Sequence, residues 1–238
     1  MSKTRHLFTD RRGGVSSGIY ASLNLRLHCD DDPENIRENY RRLGKLIGCD
    51  RFVLGNQQHT DQIIRVSGKD AKRDVFDPVD YVADGLITRE PELALVVFTA
   101  DCVPVLLQGP GVVAAVHAGW RGTAKGIVGK AVREMECPPE EIRAFIGPSI
   151  GLCCYEVGDE VREAMTALMG AEAKPFFQDR RIDLKGLNRR QLELSGVCRV
   201  EVSPVCTYCQ HEQYWSHRYT CGNRGTQAGV IVLGRDGE

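Results

Sequence analysis

The period of the apolar positions changes several times along the chain. After Asp32-Pro33, the residues Ile36, Tyr40, Leu43 and Ile47 recur at spacings of four, three and four, which lays them along one stripe of a helix. Asp32 can cap that helix, Pro33 at its first position forfeits no needed donor, and Gly48 supplies a stop. Downstream the apolar residues run together instead, in Gln62 to Ser67, Tyr81 to Thr88, Leu93 to Thr99, Val103 to Gln108 and Val112 to His117. Leu95-Val96-Val97-Phe98 and Val112-Val113-Ala114-Ala115-Val116 have no polar alternation, as expected of strands buried on both faces. Asp84-Gly85 inside one of these runs predicts a tight hairpin turn. Pro104 predicts a break or an edge in its strand. Helical spacing returns over Thr123 to Met135, Asp159 to Met169 and Leu184 to Leu194, with short strands at Arg143 to Ile146, Arg199 to Val202 and Ala228 to Leu233. Strands and helices mix without strict alternation, so the expected class is α+β.

Composition narrows the field. The chain has 238 residues, 31 Lys plus Arg against 32 Asp plus Glu and a net charge of −1, so no excess of cations marks it for nucleic acid or an acidic membrane. The length allows one large domain, and no repeat or linker divides it; a single domain over 1–238 is expected. No apolar run approaches a membrane span, and the polar opening MSKTRHLFTDRRGG lacks the apolar segment of a signal peptide. A cytoplasmic address is the expectation. In that reducing setting the ten cysteines should be mostly free thiols, a few of them ligands or nucleophiles.

Three segments place chemically capable side chains at strand ends or the turns beyond: Asn56-Gln57-Gln58-His59, Thr99-Ala100-Asp101-Cys102 and Val116-His117-Ala118-Gly119-Trp120-Arg121-Gly122. Sheets fix such positions while the loops expose them. The turn from His117 through Gly119 and Gly122 into a helix could present N–H groups and a positive dipole end to an anion, with the planar fork of Arg121 beside it. A structural reading stands next to this one, because a histidine at a strand end often only hydrogen-bonds and a glycine-rich turn often only turns.

Together with Arg11-Arg12-Gly13-Gly14-Val15-Ser16, Ser22-Leu23-Asn24-Leu25, Ala83-Asp84-Gly85 and Phe145-Ile146-Gly147-Pro148, these segments resemble the laccase-domain family from Phe8 to Leu233. Its members are named multicopper polyphenol oxidases and also purine nucleoside phosphorylases with adenosine deaminase activity. The resemblance implies a single-domain, four-layer α/β/β/α fold with mixed sheets. It also implies a zinc site at His59, Cys102 and His117. Three protein ligands with one position open is the catalytic zinc pattern. Such an ion would deprotonate Cys102 and acidify bound water, which suits deamination of adenosine to inosine. Phosphorolysis of adenosine, inosine or methylthioadenosine needs phosphate as co-substrate; Arg121 is the first candidate to hold it, with Arg11 and Arg218 as alternatives to ordinary surface arginines. Asp101 is a candidate general acid or base, an orienting carboxylate, or a turn cap. Asn24 and Gln57 are candidates for substrate contact or for turn hydrogen bonds.

Counting histidines tests the oxidase label. Six histidines, with His6 and His28 outside the motifs, are too few for a blue-copper site plus a coupled trinuclear centre. Cu2+ could still enter the zinc site. Cys206-Thr207-Tyr208-Cys209, near His211, His217 and Cys221, could be a redox pair, half of a second metal site, or loop thiols. Cys153 and Cys154 are adjacent, which argues against shared ligation of one ion, so packing after Gly147-Pro148 is expected. Two other readings use the same residues: a cysteine hydrolase or amidase acting on cell-wall peptide precursors through Cys102 and a histidine, and a non-catalytic binding module. The expected partner is a small nucleoside, with no nucleic acid and no membrane; protein partners are not specified by the sequence.

Overall fold

Strands that are apolar on both faces need two layers to lie against, and this chain provides them by stacking two sheets between two sets of helices. The computed structural model describes residues 4–235; the expected domain span extends beyond it at both ends, since 1–3 and 236–238 lie outside the described residues. In chain order the elements are β1 (Arg5–Phe8), α1 (Pro33–Ile47), β2 (Phe52–Leu54), β3 (Ile63–Arg65), β4 (Gly85–Thr88), β5 (Ala94–Thr99), β6 (Val103–Gly109), β7 (Val112–Ala118), α2 (Trp120–Ala124) and α3 (Ile127–Glu134). There follow β8 (Arg143–Ile146), α4 (Asp159–Met169), β9 (Phe177–Gln178), β10 (Arg181–Ile182), α5 (Leu184–Leu194), β11 (Arg199–Val202), α6 (His217–Thr220) and β12 (Gln227–Val232). One large sheet has the order β1-β12-β5-β2, the other β11-β8-β6-β7-β4-β3, and both mix parallel with antiparallel pairs; β9 and β10 form a separate antiparallel pair.

The alternation of side chains along each strand sorts the core into three apolar layers. Ala94 and Val96 of β5 face α1 with Ile36, Tyr40, Leu43 and Ile47, while Leu95 and Val97 point between the sheets. On β7, Val113 and Ala115 join that inter-sheet layer, and Val112, Ala114 and Val116 pack under α3, α4 and α5. The result is the expected α/β/β/α arrangement with mixed sheets. The first helix forms as its sequence dictates: the Asp32 side chain accepts the Glu34 N–H, and Gly48 closes it at φ +70°.

Three local expectations differ from the structure. Asp84-Gly85 is not a hairpin turn; Gly85 opens β4, and the chain continues straight along β7. Glycine is required there because a Cβ would lie 2.8 Å from Ile63 Cγ1. The helix expected over Thr123 to Met135 is divided, since Gly126 takes φ +73° between α2 and α3. Pro104 lies inside β6 and pairs with His117, placed before the β8 ladder begins at Val105, so the strand is not broken. The short strands β1 and β2 carry too few residues to show a period. The ten cysteines are all free thiols, as expected.

Leu106, fully buried between the sheets, has apolar neighbours from both. Leu106→Ala should lower the unfolding free energy by about 2–5 kcal/mol, the usual cost of a cavity that rigid surroundings cannot refill. Urea unfolding followed by circular dichroism checks this; an unchanged midpoint would show that the inter-sheet layer is not tightly packed.

Candidate metal centre and its cavity

The sheet register places the three candidate ligands together. Val103 pairs with Ala118, so Cys102 and Gly119, one residue further out, emerge side by side at the same end of β6 and β7. Gly85 pairs with Val116, so Asp84 comes opposite His117, whose N–H donates to the Asp84 carbonyl at 2.7 Å. The His117 ring then meets the Asp84 carboxylate, Nδ1 to Oδ1 at 2.7 Å. This bond fixes the ring and leaves Nε2 as the free ligand nitrogen. The other carboxylate contacts hold the His59 loop: Asp84 accepts the N–H groups of Gln58, His59 and Thr60 and the Thr60 hydroxyl, at 2.7 to 3.2 Å. They secure His59 in a left-handed backbone conformation, φ +59°.

The His59 Nε2 to Cys102 Sγ distance is 3.8 Å, and the three ligand atoms all lie within 4.8 Å of one another. A tetrahedral zinc with one sulfur and two nitrogens sets ligand separations of roughly 3.3–3.7 Å, so the set could close on one ion with small side-chain adjustments. Gly119 makes the convergence possible. A Cβ at this position would sit 2.9 Å from His59 Cδ2 and 3.2 Å from Cys102 Sγ. Without an ion, burial opposes charge on Cys102, but the His117 charge and the hydrogen bonds from both histidines outweigh it and hold the thiol at about 6. Burial also opposes charge on His117, but the Cys102 thiolate and Asp84 raise it to about 9. Asp84 is held at about 2: burial pushes it up, and the His117 and Thr60 hydrogen bonds more than reverse that.

His59, Cys102 and His117 line a cavity of about 680 Å³, with Asp84 buried behind them. Leu54, Val79, Phe98 and Ile150 give it apolar wall, while Arg26, Arg218 and Arg224 bring positive charge. Arg224 Nε and the Thr226 hydroxyl are buried without a hydrogen-bond partner among the described residues. Burial, then the Arg224 charge, hold the cavity-lining His217 below its ordinary value, so its imidazole is neutral at pH 7.

The remaining candidates from the sequence are distributed unevenly. Arg218 lines the cavity and donates from Nη2 to the Glu156 carbonyl. Asp101 also lines it at φ +90°, but its carboxylate already accepts from the Thr207 and Ser216 hydroxyls and the Arg218 N–H, an arrangement suited to orientation rather than proton transfer. The Gln57 amide is bound at both ends to the Phe98 backbone. Asn24 is fully buried; it donates to Asp31 and accepts the N–H of Arg26 and of Thr226, which shapes the wall from behind.

Two arginines are not brought to the cavity. Arg11 donates to the Ala21 and His211 carbonyls and stacks on Trp215. Arg121 is exposed and lies over Trp120, on a helix of five residues outside the cavity lining. Asp84, Arg26, Arg224 and His217 escaped the sequence reading as site residues. An acid amid apolar strand residues was a usable signal for Asp84; the arginines meet only through loops distant in sequence. Cys153 and Cys154 are also placed otherwise than expected, since both converge on Cys206 and Cys209. Their tight turn directs neighbouring side chains to one side, which a strand would not do. His211 is stacked on Tyr219 and takes no part in that group.

A four-layer α/β/β/α domain with a His/Cys/His set at the sheet ends defines a class of proteins with a possible metal centre in a mixed polar and apolar cavity. The family model described as multi-copper polyphenol oxidoreductase laccase matches residues 5–234, and the chain belongs to that family. It is 36% identical over 241 residues to a Geobacillus stearothermophilus protein named purine nucleoside phosphorylase YlmD, covering 94% of this chain and 88% of the relative. A Corynebacterium glutamicum protein, also named a purine nucleoside phosphorylase, is 37% identical over 98% of this chain and 95% of its own length. The crystal structure of YlmD from G. stearothermophilus superposes with a TM-score of 0.91 at 35% identity, covering 98% of this chain and 92% of that one. Among the described residues no helix is long and apolar enough to cross a membrane.

Two outcomes are expected from this geometry. Asp84→Asn and Gly119→Ala should each weaken metal binding, the first by about 10–100-fold; equilibrium dialysis checks both, and unchanged affinity would separate these residues from the centre. Metal binding must also expel the His117 proton. Apparent affinity should therefore climb with pH up to about 9, more steeply below about 6 where Cys102 must also lose its proton, as read by competition with a chromophoric chelator.

Proposed function

We propose that this cavity is the active site of a zinc-dependent purine nucleoside phosphorylase that also deaminates adenosine. The observation that carries the proposal is the convergence of His59, Cys102 and His117 on one point of a cavity that offers apolar wall and three arginines. The curated relatives named purine nucleoside phosphorylase support the same enzyme class. The donor set suits zinc, with one thiolate and two imidazoles, an anchoring carboxylate behind one histidine, and a fourth position left for substrate or water. A zinc ion held there supplies Lewis acidity and lowers the pKa of water in its open position.

The chain's own residues divide the remaining work. Leu54, Val79, Phe98 and Ile150 offer a purine ring the apolar contact that water denies it. Arg26, Arg218 and Arg224 replace Arg121 and Arg11 as the phosphate-holding set, because they line the cavity and Arg224 retains an unpaired buried donor. In phosphorolysis a phosphate oxygen bonds to ribose C1′ as the bond from C1′ to the base nitrogen breaks. The base departs with a proton given up by the phosphate, and ribose 1-phosphate remains, or its 5-methylthio analogue where methylthioadenosine is the substrate. Adenosine, inosine and methylthioadenosine share that bond. In deamination a water oxygen adds at C6 and ammonia leaves, giving inosine. His217, neutral and facing the cavity, is suited to accept and return a proton, and Asp101 orients the neighbouring Cys102 segment. The even charge balance and the free thiols accord with a cytoplasmic enzyme acting on small molecules.

One observation favours a second reading. Without an ion, the His117 charge draws the Cys102 thiol down and the Cys102 thiolate draws the imidazole up, the direction a cysteine hydrolase or amidase needs. Copper in the same three ligands would give the polyphenol oxidase variant.

Incubation with adenosine or inosine, with and without phosphate, followed by chromatography, tests the function. Free base should form only with phosphate, inosine should form from adenosine, and chelation should abolish both. Activity that survives complete metal removal and is lost when Cys102 is alkylated would favour the hydrolase. Arg224→Ala should raise the KM for phosphate by about tenfold or more, the loss expected of a charge-assisted contact, whereas Arg121→Ala should change it less than twofold. The reverse ranking would return the phosphate to the α2 turn.

A further inference from the structure

We propose that Cys153, Cys154, Cys206 and Cys209 bind a second zinc ion, in a closed structural site separate from the His59, Cys102 and His117 set. The four sulfurs all lie within 4.8 Å of one another, with Cys153 to Cys209 at 3.6 Å and Cys154 to Cys209 at 3.3 Å. A tetrahedron of thiolates around one zinc has edges of roughly 3.8 Å. A disulfide needs sulfurs at about 2.05 Å and would use only two of the four. Such a concentration of thiols demands a reason, because four polarizable groups brought together repel once they lose their protons.

Burial raises the Cys153 and Cys154 thiols, so these two need an ion to lose their protons, while the contacts of Cys206 favour its thiolate. Cys206 Sγ accepts the Gly151 N–H at 3.2 Å, and such a bond disperses negative charge on sulfur. Lys185 is buried and donates to the Ser203 and Val205 carbonyls, within electrostatic reach of Cys206 and Cys153. Its ammonium offsets part of the double negative charge that one Zn2+ and four thiolates leave. Gly151 supplies the space: a Cβ there would come 3.3 Å from Cys206 Cβ and 3.4 Å from Cys153 Sγ. The turn bonds from Cys154 N–H and Tyr155 N–H to the Gly151 carbonyl set both adjacent cysteines toward the second loop. On binding, each thiol that still carries a proton releases it to solvent and forms a sulfur–zinc bond; no electron is exchanged.

The ion would join two loops that build the cavity wall. One carries Ile150 and Tyr155, which line it. The other carries Thr207, whose hydroxyl holds Asp101 at 2.6 Å beside Cys102. The backbones already meet where Ser149 and Cys206 form a bridge and Thr207 N–H donates to the Ser149 carbonyl.

The test is metal analysis and native mass spectrometry of the full chain expressed with added zinc. Two zinc ions per chain are expected, one in Cys209→Ser and one in the His59→Ala/His117→Ala variant, so failure at either centre is seen separately. Alkylation mapping serves if a variant does not fold. In the untreated protein Cys153 and Cys209, although exposed, should react at least tenfold more slowly than the exposed Cys198 and Cys221, and chelation should remove the difference. Equal reactivity of all four before chelation, unchanged zinc content in Cys209→Ser, a Cys154–Cys209 disulfide, or iron with inorganic sulfide would each overturn the proposal.

Discussion

The candidate site depends on one carboxylate placed where a sheet would ordinarily carry an apolar residue. Asp84 has no exposed surface, and burying an ionised group without compensation would cost several kcal/mol. The compensation is unusually complete: one imidazole, three backbone N–H groups and one hydroxyl converge on its two oxygens. Each of those bonds also positions something. The imidazole is His117, and the N–H groups belong to the loop that presents His59. Two ligands from different parts of the chain are thus referred to one fixed point, and the electrostatic requirement of the acid is what makes their geometry rigid.

Asp101 repeats the device on the other side. It occupies φ +90°, a conformation an ordinary side chain resists, and it is held there by Thr207, Ser216 and Arg218. Cys102 follows it directly, so the thiol's position is set by contacts made from a loop about a hundred residues later. Fixing that loop to the turn at Gly151 through four thiols would extend the same logic outward, from ligand to acid to hydroxyl to the loop that bears it.

How legible this was in the sequence depends on the range of the interactions. Continuous apolar runs announced doubly covered strands, and the spacing of Ile36, Tyr40, Leu43 and Ile47 announced α1, because burial and helix period are local signals. His59, Cys102 and His117 could be singled out because strand ends are local too. Asp84 was obscured by its neighbour: Asp-Gly has the chemistry of a hairpin turn, and only the approach of Ile63 shows why glycine stands there instead. Arg26 and Arg224 were invisible, being joined by an Arg26 hydrogen bond to the Arg224 carbonyl across 198 residues. The rule that adjacent cysteines diverge comes from extended chain, and it fails at 152–154 because that segment turns.

The location of the positive charge follows from the same architecture. With a net charge of −1 the chain has no general field to draw an anion, so attraction has to be local. The sheets cannot provide it: their strands are apolar on both faces, and an arginine among them would be stranded in the core. The cations therefore come from chain that closes over the strand ends: the loop before α1 for Arg26, the short α6 itself for Arg218 and the loop after it for Arg224. Burial there strips water from Arg224 and leaves its Nε unpaired, a cost that a bound oxyanion would repay. The helix start at Arg121 faces the opposite constraint. It remains exposed, shares its charge with Trp120 and water, and gains little by binding a phosphate. Exposure thus separates the two arginine groups physically: one lines a cavity with a buried unpaired donor, the other lies on open surface.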